Sequence, residues 1–242
     1  AVKDGITVNL VYDGRAAKVM LNQDKVRQIE EYYAQCELEG ANEHQIEESQ
    51  KAVAKMEVII GDPDRLRAVA EDFIKHYETR VAEGATVAGK AMFVCSNRNI
   101  AYDFYKIVKE LRPEWTEKKI CDDGVVLSEK DKKELKPMEK IKLVMTRNKD
   151  DEKDLFDMLG TKEDRKEFDR QFKNPKSNFK IAIVVDMWLT GFDVPELDTI
   201  YIDKPIQQHT LIQTISRVNR VCEGKDKGLI VDYIGIKKNM NT

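Results

Sequence analysis

No two of the four cysteines (Cys36, Cys95, Cys121, Cys222) share a C-x-x-C spacing, and the three histidines (His44, His76, His209) are equally scattered over 242 residues. A zinc site is not expected from ligands so dispersed, and no metal ligands are assigned. The chain shows no secretory leader pattern and no apolar run long enough to span a bilayer. A soluble, reducing, cytoplasmic setting without membrane contact is expected. Neither sign of charge dominates. The net charge is -3, so bulk electrostatics cannot draw in nucleic acid, and any polyanion must meet local patches.

A working phosphate loop is also missing. The stretch "GATVAGKA" at 84–91 has the two glycines and the lysine of one. A phosphate loop, however, follows a strand and opens a helix whose first amides hold the phosphates. Here a helical pattern precedes and a strand pattern follows, and Ala91 stands where a hydroxyl would ligate magnesium. A helix-to-strand turn is the expected structure. No strand ends in a D-E-x-x acidic pair. Triplets such as Glu117-Lys118-Lys119 and Asp131-Lys132-Lys133 arise by chance in a lysine-rich stretch, so neither nucleotide hydrolysis nor DNA cleavage is expected of this chain by itself.

What is present suffices for a core: 41% of residues are hydrophobic, beside 35% charged. Residues 6–12, "ITVNLVY", read as a short strand. From about 24 to 80 the pattern is helical, in runs ending at Gly40 and Gly61, followed by one that opens with Asp62 as N-cap and Pro63 at the first position. Residues 24–57 carry nine acidic against four basic side chains, as a solvated helical surface would. After Gly89 strands and helices alternate: "KAMFVCS", "IKLVMT", "FKIAIVVD", "LDTIYID" and "GLIVDYI" are strands, with helices such as "RNIAYDFYKIVKEL", "KEDRKEFDRQFKN" and "QQHTLIQTISRVNRV" between them. The apolar runs are continuous rather than alternating, which suits strands covered on both faces. The fold class is therefore α/β, a doubly wound, mostly parallel sheet with an N-terminal helical extension. The division is drawn at residue 82, with 1–81 as strand and helical segment and 82–242 as the sheet domain. The stretch 117–154, with eleven basic and eleven acidic residues, is expected as an excursion on the sheet's rim.

The chemistry concentrates in "QTISRVNR" at 213–220. At about 100° per residue a helix would bring Gln213, Arg217 and Arg220 within an arc of roughly 60°, opposite Leu211, Ile215, Val218 and Cys222. Two such arginines either pair with surface carboxylates or reach for a ligand. The segment "VDMWLTGFDVP" at 185–195 bears on that choice, because ligands collect at the carboxyl ends of strands in open α/β sheets. Only one strand separates this turn from the arginines, so both are expected at one edge. Gly191 admits close backbone approach, and Asp193 can accept hydrogen bonds from ribose hydroxyls. Arg217 and Arg220 could stabilise charge on a transferring phosphoryl group, with Gln213 orienting phosphate or water.

In that order, "S-N-R" after a strand, "IKLVMT", "VDMWLTGFDVP" and "QTISRVNR" resemble the fourth to sixth motifs of the second RecA-like lobe of superfamily-two helicases. More narrowly, "DMWLTGFDVPELDTIYIDKP", "IQTISRVNR", "GLIVDYIGI", the opening "DGITVNLVYDGRAAKV" and "PDRLRAVAEDFIKHYETR" resemble the R (HsdR) subunit of type I restriction–modification enzymes over nearly the whole chain. The resemblance implies an ATP- and Mg2+-dependent translocase of double-stranded DNA. Its phosphate loop, magnesium motif and nuclease lie on other parts of the subunit, and its partners are methyltransferase and specificity subunits. It implies finger roles for Arg217 and Arg220 and nucleotide contacts from Gly191, Asp193 and Gln213.

For DNA-backbone contacts, Ser96, Asn97 and Arg98 follow one strand, Thr146 and Arg147 another, and Thr190 lies in the turn; Ser96 or Asn97 is equally suited to capping the next helix. Ser216 and Asn219 replace the glycines usual in the sixth motif. Val185 stands where many relatives place a phosphate-touching threonine, so Thr190 or a backbone amide must make that contact. Chain opening at Ala1 rather than methionine reads as a piece of something longer. The alternatives are the lobe of another superfamily-two helicase, or a nucleotide-free RecA-like interaction scaffold.

Overall fold

The continuous apolar runs assemble into a single sheet. In the computed structural model, which describes residues 7–16, 24, 27, 28, 31, 43–206 and 208–235, the strands are β1 (Asn9–Gly14), β2 (Ala91–Cys95), β3 (Ile141–Leu143), β4 (Ile181–Val184), β5 (Thr199–Asp203) and β6 (Lys227–Asp232). Their order is β1-β6-β5-β2-β4-β3, and every neighbouring pair is parallel. Central strands β2, β4 and β5 are buried along their whole length, as the unbroken apolar sequences of β2 and β4 require; β5 is apolar only between Thr199 and Asp203. Edge strand β1 is half-exposed.

Around the sheet run α1 (Glu43–Ile60), α2 (Pro63–Ala82), α3 (Arg98–Leu111), α4 (Glu129–Glu134), α5 (Lys153–Leu159), α6 (Lys162–Lys173) and α7 (Gln208–Ile215). The run expected to be helical at 24–40 lies almost wholly outside the described residues. Helix α2 starts as its sequence dictates, with the Asp62 carboxylate accepting from the Arg65 amide and proline at the first position. Its buried residues Leu66, Val69, Ala70, Phe73, Ile74 and Tyr77 follow the helical period. Phe73 sits at the centre of an aromatic cluster, edge-on to Phe93 of β2 at 5.1 Å and to Tyr201 of β5 at 4.7 Å. Full burial of one such ring stabilises by about 1.5–3 kcal/mol.

The sequence reading divides the chain at residue 82. β1 nevertheless pairs with β6 from Asn9↔Lys227 to Gly14↔Asp232, and α2 shares one core with β2 and β5.

The false phosphate loop is a helix-to-strand turn between α2 and β2. Asp198 ties it down, accepting from the Thr86 hydroxyl at 2.7 Å and the Val87 amide at 2.8 Å. Lys90 is buried; its ammonium donates to the Phe179 carbonyl at 2.5 Å. Burial holds its pKa well below the usual lysine value. A lysine so placed holds two strands together and has no access to a phosphate.

Residues 117–140 form an excursion beside edge strand β3, closed by paired backbone bonds between Lys119 and Met138 at 3.0 and 2.9 Å. Within it α4 is started by a capping box of Ser128 and Asp131.

One expected element is shorter than its sequence suggests. The helix anticipated over 207–221 ends at Ile215. Beyond it the amides of Arg217 and Val218 donate to carbonyls three residues back, at 3.1 Å each, and the Ser216 hydroxyl takes the Gln213 carbonyl at 2.6 Å. Such i→i-3 bonds and hydroxyl-to-carbonyl bonds tighten and end a helix. The turn then drops onto β6, where a Cβ at Gly228 would stand 2.3 Å from the Val218 carbonyl oxygen. Gly228→Ala is therefore expected to force the backbone apart and destabilise the fold by about 1–3 kcal/mol, read as a lower denaturant midpoint. An unchanged midpoint would contradict this close approach.

Candidate functional site

Segment 185–198 joins β4 to β5 without a helix. The two strands run parallel, so this segment must itself travel from the carboxyl end of the sheet back to the amino end. It is irregular and partly strained. Trp188 has φ 69°, a left-handed conformation costing a side-chain-bearing residue on the order of 1–2 kcal/mol. Packing holds it there, since the indole stacks on Phe192 at 4.3 Å with 2° between planes and leans on Phe172 at 5.4 Å. Gly191 also has φ 69°, is exposed, and has open space where a side chain would project. The glycine is needed for its backbone angle, and the same openness admits close approach to the main chain.

Arg217 donates from Nε to the Leu189 carbonyl at 3.3 Å and from Nη1 to the Phe192 carbonyl at 2.9 Å. It clamps the descending segment. Arg220 instead meets the carboxylate of Asp193 at 2.9 Å, with both side chains about half exposed, 48% and 51%. Because α7 has ended, these arginines do not share a helix face with Gln213 as the sequence suggested. They leave the chain in a turn, and Arg220 lies in a bridge to Thr7. Gln213 is on the last turn of α7, half-buried.

The place of the Asp193–Arg220 pair corrects a further expectation. Thr7 precedes β1, and Arg220 precedes β6. Lys225, also ahead of β6, donates to the Pro195 and Leu197 carbonyls at 2.9 Å each. The pair therefore lies at the amino end of the parallel sheet, not at the carboxyl edge where ligands were expected. The missing helix between β4 and β5 is the reason: the return crossing carries Asp193 down with it.

The residues assigned to DNA contacts stay mostly at the carboxyl end. Arg98, Val144, Met145, Thr146, Val185, Asp186 and Met187 line one open depression of about 360 Å³. Asn97 caps α3, its side-chain oxygen accepting from the Ile100 amide at 2.9 Å. Arg98 grips Asp151 with two bonds of 2.6 and 2.8 Å and donates to the Thr146 carbonyl at 2.6 Å. Burial pushes the Asp151 carboxyl up, but the hydrogen bond from the Asn148 amide, and after it the bonds and charge of Arg98, bring it below the usual carboxylate pKa. Arg147 turns away to stack over Phe156 at 4.2 Å and donates to that residue's carbonyl at 2.8 Å. Ser96 lines a second, smaller depression with Lys204, Pro205 and Met56. Thr190 is exposed on the descending segment and does not line the larger depression. Among the described residues, no group of three His, Cys, Asp or Glu side chains is placed to hold a metal ion. No helix among them is long and apolar enough to cross a membrane.

The profile of type I restriction enzyme subunit R domain 3 matches residues 87–235. The chain belongs to this family. It is 36% identical over 243 aligned residues to the type I restriction enzyme HindI endonuclease subunit of Haemophilus influenzae, covering 99% of this chain and 20% of that subunit. It is equally similar, 36%, to the MjaIXP endonuclease subunit of Methanocaldococcus jannaschii, over 100% of this chain and 20% of the relative. The chain thus spans about a fifth of the length of these relatives. A solved fragment of an HsdR subunit from Vibrio vulnificus superposes with a TM-score of 0.54 at 12% identity, over 100% of this chain and 35% of that one, which supports the fold.

The sequence reading missed what fastens this R-subunit domain beside its site. Arg65 of α2 is fully buried and pairs with buried Asp203 at the end of β5, through bonds of 2.5 and 3.1 Å. The same guanidinium donates to the carbonyls of Ile60, which ends α1, and Tyr233, which follows β6, at 3.1 and 3.2 Å. One residue thus joins α1, α2, β5 and β6. The available signal was a charged residue at the edge of the apolar stripe of α2, but its partner lies 138 positions away. Lys204, the residue after Asp203, was also passed over.

Proposed function

We propose that this chain is the second motor lobe of an ATP-driven, double-stranded-DNA translocase within a type I restriction R subunit. The observation that carries this reading is the meeting of Arg220 with Asp193 at 2.9 Å beside an Arg217 clamped onto the segment that bears Asp193. Family membership supports the reading at the level of the R subunit; the nucleotide roles given to these residues are part of the proposal. In the proposal, Arg220 faces the phosphates of an ATP bound mainly by another lobe of the full subunit. Its planar donors stabilise charge that develops as the terminal phosphoryl group leaves. Asp193 accepts from ribose hydroxyls once Arg220 releases it, Gly191 lets the backbone close on the nucleotide, and Gln213 orients phosphate or water. Arg217 helps mainly by fixing the segment from Leu189 to Phe192. Mg2+, which would neutralise phosphate charge, is assigned to acidic residues of the other lobe.

DNA is placed across the carboxyl end of the sheet. There Ser96, Asn97, Arg98, Thr146 and Arg147 contact backbone phosphates without reading bases, and Thr190 joins them only where the DNA follows the descending segment. Methyltransferase and specificity subunits would hold the recognition site. The test is a salt titration of duplex binding by the complete restriction complex. Each phosphate neutralised adds about one log unit to the slope. Arg98→Ala and Arg147→Ala are expected to flatten it, with sequence preference unchanged. Unchanged slopes in both variants would put the DNA on another face.

A further inference from the structure

Among the described residues, two lysines engaged with backbone carbonyls also face an exposed carboxylate. Lys180, its side chain 6% exposed, holds the Pro175 carbonyl and lies 3.5 Å from Asp122, which is 46% exposed. Lys204 is less buried and its partner almost wholly in solvent. Lys90 is buried with its ammonium on the Phe179 carbonyl, and Lys225 is buried between the Pro195 and Leu197 carbonyls. These hold strands together. Lys204 donates to the Val185 carbonyl at 3.0 Å and to the Asp186 carboxylate at 2.6 Å. Its own side chain is 19% exposed, but that of Asp186 is 86% exposed. A carboxylate so placed is screened by water and contributes little to holding the lysine. It can be exchanged for another anion.

The surroundings define which anion. Lys204 follows β5 and Val185 follows β4, and β2 lies between these strands. The ammonium therefore reaches over the end of β2, and Lys204 lines the smaller depression with Ser96. Asp186 lines the larger one with Arg98 and Thr146. Lys204 thus stands between two depressions that open along one row of strand ends, β5-β2-β4-β3. Val185 has no side-chain hydrogen-bonding group, and Lys204 already occupies its carbonyl. An ammonium has three donors, enough to keep that carbonyl and take a phosphate oxygen in place of the carboxylate.

We propose that Lys204 is a DNA-backbone contact, with Asp186 occupying the phosphate position until DNA displaces it. This inference rests on the proposed DNA path across the carboxyl ends of the strands. It adds the residue that links the two depressions.

The experiment is a salt titration of duplex-DNA binding by the full-length R subunit, comparing wild type with Lys204→Gln, Lys204→Arg and Asp186→Asn, each checked by thermal unfolding. Lys204→Gln is expected to reduce the log–log slope by about one, whereas Lys204→Arg retains it. Asp186→Asn removes the competing charge and is expected to tighten binding several-fold at low salt. If wild type shows a salt slope that Lys204→Gln leaves unchanged, this inference fails while the DNA path stands. If Lys204→Gln does not fold, Asp186→Asn decides, and no tightening overturns the inference. Wild-type subunit that binds duplex without salt dependence, or not at all, overturns both the path and the inference.

Discussion

Arg220→Ala in the full-length subunit is expected to lower ATP turnover by about 10³-fold or more while DNA binding changes far less, since an arginine finger acts on the transition state. The proposed role asks that Arg220 can leave its carboxylate partner. Its partner Asp193 is half exposed, and surface ion pairs of this kind are worth about 0–1 kcal/mol. A bound nucleotide can separate them at small cost. Arg220→Lys should not restore turnover, because an ammonium lacks the planar fork. Arg217→Ala should behave differently. Its guanidinium holds the Leu189 and Phe192 carbonyls, so its loss should loosen the segment under Trp188 and weaken nucleotide binding as well as turnover. Steady-state ATPase assays with duplex DNA check both. Near-normal turnover in Arg220→Ala, with Arg217→Ala inactive, would reverse the two roles.

The second large effect concerns stability. Asp203→Ala is expected to destabilise the fold by about 3–5 kcal/mol, because it leaves a buried guanidinium without its counter-charge. Arg65 and Asp203 are 1% and 0% exposed at their side chains, and no water competes for the bond. Arg65→Met with Asp203→Leu should recover much of that loss, since an apolar pair of similar size avoids desolvation altogether. Denaturant unfolding of Arg65→Met, Asp203→Leu and the double variant measures the coupling, with Asp203→Ala as the reference for the loss. A double variant no more stable than Asp203→Ala would mean that the Ile60 and Tyr233 carbonyls, not the ion pair, are what Arg65 satisfies.

The sheet was legible in the sequence because its central strands are buried on both faces and so carry apolar runs, as "IAIVV" does. Caps were legible because they are local. Asp62 and Asn97 each bond an amide three residues on. The end of α7 was not legible, because the residues that pull the chain away from it are distant. Gly228 gives the Val218 carbonyl room, and Thr7 bridges Arg220. The same holds for the site. Asp193 and the arginines could be selected by residue type and order, and Arg220 does meet Asp193. Their place at the amino end depended on a strand connection without a helix, which no periodicity announces. The Arg65–Asp203 pair and the Lys204–Asp186 pair are long-range too, and charged residues at strand ends look alike until the fold brings them together.

The most direct test of a nucleotide site shared between lobes is ATP hydrolysis by this 242-residue chain and by the full-length subunit, each with and without duplex DNA. The account predicts no turnover above background from the chain alone and DNA-stimulated turnover from the full subunit. Turnover by the chain alone that Arg220→Ala abolishes would contradict it.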